Sequence, residues 1–508
     1  TNARTAARRR AAVRAFVPLT IVGLGGAILL QDDRGPAVPG SGPLTAAMLA
    51  CPDLAVTPPG AHVPLLPGPA GLDVRTGTTA GRVQVSSRDA ELRTTLGSGR
   101  LALGSSAGGA GAVLLTGRDD AAAGLSAVVT AAGDGAGPAR ARCVPPVSRS
   151  WFAGPSTAAG RDPVLVLANM ADQPARASVR TLADGPAGPP VDITVPPGRT
   201  VTRRLAALAP EAATTALDVQ VRAGRIVAWM TDRSSSGGPF TAPRLVPATA
   251  PPGRRLLLGG VIVPSGPPAP AATLVLAAPG TATTVRVSIL TASGRRTPID
   301  LADVPVPAGG ALAVPVPLPA GAASAVLVES TGAAAPVFAE LGVASGWPGV
   351  WTWAPASRVE APSGGQALDA YGRGVGRLAT AGPTTGPGTA SDAVVAVPPT
   401  PAGAVGAVVL TAPLGPVTAR LDGVPVRVDA GSVRVMAAPV AGRGGRLVAE
   451  GGPLVATSIL GAGPAGAGAS SGALRVVPRV LSAAVPLTGA PSLAELPAGV
   501  ADPALAYR

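Results

Sequence analysis

LVLANMADQPARASVRTLADGPAGPPVDITVPPGRTVTRRLAALAPEAATTALDVQVRAGRIVAWMTDR, residues 165–233, is the stretch on which the fold turns. It opens on an apolar run, LVLAN (165–169), and alternates through ARASVRTL (175–182). It turns at VPPG (195–198), alternates again in LDVQV (217–221) and closes on RIVAWM (225–230). The same order returns as LVLAA (274–278), VRVSILT (285–291), VPAG (306–309), AVLVES (325–330) and PVFAEL (336–341). A looser copy reads VVLTA (408–412), VTARL (417–421), VDAG (428–431), GRLVAE (445–450) and LVATSIL (454–460). Short Val-rich runs separated by Gly/Pro turns are strands, and their recurrence describes one β-rich module used several times.

Bulk composition agrees with this reading. A chain of 508 residues has room for about three to five domains. Glycine (68) and proline (58) are abundant, yet 47% of the residues are apolar, enough to bury aliphatic cores. With aromatics at only 2%, those cores must be built from Val, Leu and Ala. No amphipathic helical stretch recurs between the strands, which argues against a βαβ plan. The expected fold is all-β, a series of tandem Ig-like β-sandwich modules after a single N-terminal transmembrane helix.

The net charge is +13, and all 41 basic residues are arginine. Five of them (Arg4, Arg8, Arg9, Arg10 and Arg14) precede an uncharged apolar stretch at 15–30, AFVPLTIVGLGGAILL. Sixteen helical residues rise about 24 Å against a hydrocarbon core of about 30 Å. Residues 11–13, with Arg14 snorkelling, bring the span close to sufficient. Basic residues before the span and Asp32–Asp33 after it place the N-terminus in the cytoplasm and the rest of the chain outside. A cleaved signal peptide has the same basic flank and a shorter apolar region. Either reading exports the remainder. No basic stripe is interleaved with aromatics, so a nucleic-acid partner is not expected.

In an exported chain the two cysteines, Cys51 and Cys143, read as a disulfide, with two buried free thiols as the alternative. The expected plan is a basic cytoplasmic segment (1–14), a transmembrane helix (15–30) and a stalk (31–43). Four sandwiches (44–147, 148–249, 250–359 and 360–488) and a loose tail (489–508) follow. Each sandwich ends in a short Pro-flanked strand: ARCVPP (141–146), PRLVPA (243–248), ASRVEAP (356–362) and RVVPRV (475–480). Because proline cannot donate to an interior ladder, these strands belong at a sheet edge or a crossover.

Chemistry-bearing patterns are weak. GSSAG (104–108) fits a nucleophile elbow, but the single histidine, His62, lies in a Pro-rich segment and a strand follows where a helix is needed. GAGPAG (461–466) fits a dinucleotide fingerprint but leads into another strand. One His and two separated Cys cannot make a zinc site, and Asp119–Asp120 reads as a solvated loop. The seven glutamates are scattered. No catalytic residue, metal or cofactor is expected. The aromatics are more informative: Trp347, Trp351 and Trp353 in GWPGVWTWAP, and Trp151–Phe152 at the opening of the second module. They are candidate contacts for a protein partner or glycan, or else plugs in the joint between modules.

The plan as a whole resembles a family of uncharacterised actinobacterial envelope proteins. The residues carrying the resemblance are LVLAN with VPPG, LVLAA with VPAG, WFAG (151–154) and the Cys51/Cys143 pair. It implies an exported body of repeated strands behind one membrane segment and no activity for any residue. The expected function is structural or interaction-based. The alternatives are an accessory subunit of a membrane glycosyltransferase or other envelope enzyme, and a protein binding cell-wall glycan through the tryptophan loop.

Overall fold

The computed structural model describes most of 46–359 and 395–487, together with 41–43 and 493–495. Residues 1–40, 53–69, 104–111, 360–394, 463–479 and 496–508, with several short loops, lie outside the description. The expected transmembrane segment (15–30), most of the expected stalk, His62, GSSAG, Trp347 and most of GAGPAG fall there. Among the described residues no helix is long and apolar enough to cross a membrane. The fold is all-β: strands and three short 3-10 turns make up the described elements.

The chain divides into two compact units. In the first, Ser41–Pro43 pairs antiparallel with Leu493–Glu495. The end of the expected stalk and part of the expected loose tail are thus ordered against each other. Backbone pairing across more than four hundred residues leaves no signature in either short segment.

The second unit holds four pairs of facing sheets. With strands numbered one to eight along each pair, the first, second and fourth all have one sheet in the order 1-6-3-4 and the other in the order 5-2-7-8. The third keeps the same neighbours, adds a short strand (Gly294–Arg296) beside strand three, and joins its two sheets through strand eight (Trp351–Arg358). That strand pairs with Phe338–Ala344 along one part and with Arg255–Ile262 along another. Each pair closes on one aliphatic core; in the first, Cys51, Leu72, Val85, Leu115 and Val129 meet from both sheets.

The strand order departs from the immunoglobulin expectation. Strands two and five pair as immunoglobulin B and E do, and three and six pair as C and F do. The first strand, however, lies beside the sixth, and the seventh beside the second, so these two have exchanged places. Period-two patterning assigns faces but not neighbours, because every antiparallel pairing satisfies the same backbone groups.

The turn motifs have a common physical basis. Gly198, Gly309 and Gly431 of VPPG, VPAG and VDAG all have positive φ (59°, 64° and 67°), a conformation that costs an L side chain. Each donates its N–H to a carbonyl at or just beyond the end of strand two: Ala171 at 3.0 Å, Ala278 at 2.8 Å and Ala412 at 2.7 Å. This contact is why the LVLAN-type run and the VPPG-type turn occur together.

The same runs decide how the sandwiches pack. In VLVLAN, Leu165 and Leu167 face the second sandwich's own core, while Val164, Val166 and Ala168 pack with Ala50 of the first. In the third, Leu274 and Leu276 face inward, and Val275 and Ala277 join the core of the second. In the fourth, Val408 and Leu410 face inward, and Ala407 and Val409 join the core of the third. A strand apolar on both faces is therefore covered on both faces.

The first sandwich turns the corresponding outer face towards the fourth, and this contact is polar. Buried Arg140 donates to Thr130 Oγ1 and Ser458 Oγ, both at 3.2 Å, and to the Pro399 carbonyl. Burial pulls the Arg140 guanidinium down to about 10 despite nearby Asp73. A cleft beside it is lined by Asp73, Arg75, Arg142, Val397, Pro399 and Leu487. The four eighth strands contact one another in succession, the fourth returning to the first, so the contacts close a cycle. Three of them, Ala139–Arg142, Arg244–Val246 and Val480–Leu487, are sheet edges. The third joins two sheets instead. The closing strand expected at RVVPRV (475–480) lies outside the described residues but for Val480.

Close approach of the fourth sandwich depends on Gly259 and Gly260, where strand Arg255–Ile262 carries a bulge. A Cβ on Gly260 would stand 2.0 Å from Val409 Cγ1, and one on Gly259 2.2 Å from Thr457 Oγ1. Gly260→Ala is expected to cost about 1–3 kcal/mol by overpacking. Gly280→Ala, where a Cβ meets nothing within 4 Å, is the matched control. Equal thermal midpoints for the two variants would show that this junction is not tightly packed.

Candidate functional site

Trp151, Phe152, Phe338, Trp351 and Trp353 converge, with several ionisable side chains, where the second sandwich meets the third. Strand Arg149–Gly154 of the second lies against Phe338–Ala344 of the third. Trp151 and Phe338 meet with ring centroids 4.9 Å apart, and the Arg149 guanidinium lies 4.2 Å from the centre of Trp151. Arg149 is held in turn by two 2.6 Å bonds to buried Asp218, which Arg180 also reaches at 3.1 Å.

Trp353 completes the joint from strand eight of the third sandwich. Its ring fills a slot over two glycines: a Cβ on Gly154 would lie 3.2 Å from it, and one on Gly342 2.9 Å. The glycine of WFAG is therefore room for Trp353. The indole N–H points to Asp232 Oδ2 at 3.4 Å. Thr249 fastens the backbone nearby, donating to the Ala339 carbonyl at 2.5 Å and accepting from the Ala356 N–H at 2.8 Å.

Asp232 belongs to one of two dipeptides of opposite order. Arg161–Asp162 and Asp232–Arg233 run side by side, and each arginine bonds the other pair's aspartate. Asp232 is nevertheless enclosed. Burial pushes its carboxyl up to about 6, against the pull of Arg161 and of the Trp353 N–H, and its Oδ1 has no hydrogen-bond partner among the described residues. Glu340 is enclosed more completely, at 0% exposure, with one bond, from the Ala153 N–H to Oε2 at 3.2 Å. Its Oε1 has no partner among the described residues.

This arrangement corrects part of the sequence expectation. Trp151, Phe152 and Trp353 are buried in the joint and present no face to a glycan or partner. Trp351 is half-buried and stacks on Trp353 at 6.4 Å. The three buried side chains pack in the joint between the second sandwich and the third, not beside the fourth. The reason is parity: in WTW both rings leave the strand on the side away from the third sandwich's core. The paired dipeptides and Glu340 were not anticipated. Glu340 did carry a signal, since in FAELG it shares the face of Phe338, so an acid sits where the pattern demands an apolar residue.

Elsewhere, Cys51 and Cys143 form a buried disulfide spanning 92 residues and linking the two sheets of the first sandwich. Asp119 and Asp120 lie exposed in a 3-10 turn. Among the described residues no group of three His, Cys, Asp or Glu is placed to hold a metal.

Comparison with known proteins adds the following. No curated protein matches the chain. Among solved structures it is similar to Thermotoga maritima 1070, with 14% identity over 20% of this chain and 93% of that one and a TM-score of 0.18. It is also similar to a Streptomyces avermitilis alpha-L-rhamnosidase complexed with L-rhamnose, with 11% identity over 83% of this chain and 54% of that one and a TM-score of 0.14. Likenesses at these scores carry no argument about activity. A family model described as "Family of unknown function (DUF5719)" matches residues 101–412, from the fifth strand of the first sandwich to the second strand of the fourth. The chain belongs to this family of unknown function, DUF5719.

Proposed function

We propose that the chain is a non-enzymatic, membrane-anchored scaffold of an actinobacterial-type cell envelope, with residues 15–30 as its anchor and its four sandwiches outside the membrane. The observation that carries this reading is the Cys51–Cys143 disulfide, because such bonds persist in oxidising compartments outside the cytoplasm. Support for a scaffold comes from the apolar joints between successive sandwiches, which make a body suited to holding partners at fixed separations. An accessory subunit of a membrane glycosyltransferase is one form of such a scaffold. Glycan binding through the tryptophans has less to support it, since three of the five candidate aromatic residues are enclosed.

A reporter fused after Pro43 is expected to be active only outside the cytoplasm, with the protein staying on membranes through a carbonate wash. Soluble protein beginning between residues 31 and 50 would replace the anchor with a cleaved signal. Reporter activity inside the cytoplasm would end the envelope reading altogether.

A further inference from the structure

We propose that Glu340 is a protonation-controlled fastener: with its proton the carboxyl is tolerated inside the joint between the second and third sandwiches, and loss of that proton loosens the joint. The geometry comes first. Along strand Phe338–Ala344, Ala339, Leu341 and Val343 point into the third sandwich's own core. Phe338 points the other way, into the core shared with the second sandwich, and Glu340 follows it on that face. Its neighbours there are the Phe338 ring, the slot at Gly342 filled by Trp353, and the backbone of Ala153. Oε2 has a single N–H, and Oε1 has none among the described residues. A carboxylate so placed has exchanged its hydration for one bond, whereas a carboxylic acid loses far less on transfer.

The charges around it are already engaged. On the strand packed against it, Arg149 is held by Asp218. On the seventh strand of the second sandwich, Asp232 is held by Arg161. Within the third sandwich, Arg255 of the first strand is held by Glu329, strand Ala272–Ala277 carries no charge, and Arg358 closes the eighth strand beside Gly253. Burial therefore dominates, raising the Glu340 carboxyl well above the ordinary 4.5, with the Ala153 N–H pulling it back. A folded-state value raised in this way fixes the sign. The contribution to stability is complete below the unfolded-chain value and disappears as pH rises through the folded value.

Thermal midpoints from pH 5 to 10 test this on the full chain and on Glu340→Gln and Glu340→Met. Asp232 titrates in all three proteins and cancels in the differences. Wild type is expected to lose at least about 3 °C more than either variant between the acid and alkaline ends. A folded variant that keeps the wild-type pH dependence overturns the proposal. Hydrogen exchange on the wild type decides the matter if neither variant folds. Protection in 149–154 and 338–344 should fall with pH relative to protection in 175–183, and a constant ratio overturns the proposal equally.

Discussion

Replacing Trp353 with alanine is expected to lower stability by about 3–5 kcal/mol, the range for a fully enclosed large aromatic side chain. The effect is large because the ring makes three kinds of contact at once. It fills the slot over Gly154 and Gly342, closes the shared core against Trp151 and Phe338, and brings its N–H to Asp232. Its removal leaves a cavity between two sheets that Thr249 ties together, donating its N–H to the Trp151 carbonyl while its hydroxyl bonds Ala339 and Ala356. The neighbouring Trp351→Ala, at a half-buried ring, should cost distinctly less. Denaturant unfolding of both variants checks the order, and equal losses would mean that the slot is not what holds Trp353.

Removal of the disulfide, by reduction or by Cys51→Ser with Cys143→Ser, is expected to cost about 4 kcal/mol from the loop-closure entropy of a segment of this length. The consequence should spread beyond the first sandwich. Cys143 follows strand Ala139–Arg142, whose Arg140 makes the polar contact with the fourth sandwich and which also touches the eighth strand of the second. Reduced protein should therefore melt earlier, and protease should cut within the first sandwich, near strand Ala139–Arg142, before it cuts elsewhere. Thiol labelling of native, unreduced protein should find no free cysteine. Melting curves that coincide with and without reductant would show that the bond adds nothing to this part of the fold.

The candidate site was legible only in pieces. The tryptophans stood out because aromatics are so scarce, and the choice between plug and exposed contact stayed open because a ring's surroundings are a property of the partner strand. Glu340 broke its own strand's pattern, yet an acid on an apolar face can equally point to solvent at an edge. Only the sandwich lying over Phe338–Ala344 makes it buried. The Arg161–Asp162 and Asp232–Arg233 pairs are ordinary dipeptides until the second sandwich lays them side by side.

What the sequence determined by itself was local and periodic. Alternation in ARASVRTL and VRVSILT marked strands, the glycines of VPPG, VPAG and VDAG marked turns, and prolines marked the first two closing strands, which lie at sheet edges. Runs such as VLVLAN are apolar on both faces and so need a cover on each. Which surface covers them was decided only in three dimensions. So were the exchange of the first and seventh strands, the return of the fourth sandwich to the first, and the pairing of Ser41–Pro43 with Leu493–Glu495. The physical reason is the same throughout. A backbone amide or an apolar face is satisfied equally well by any partner of the right kind, so the choice rests on the summed fit of distant surfaces, which no window of sequence contains.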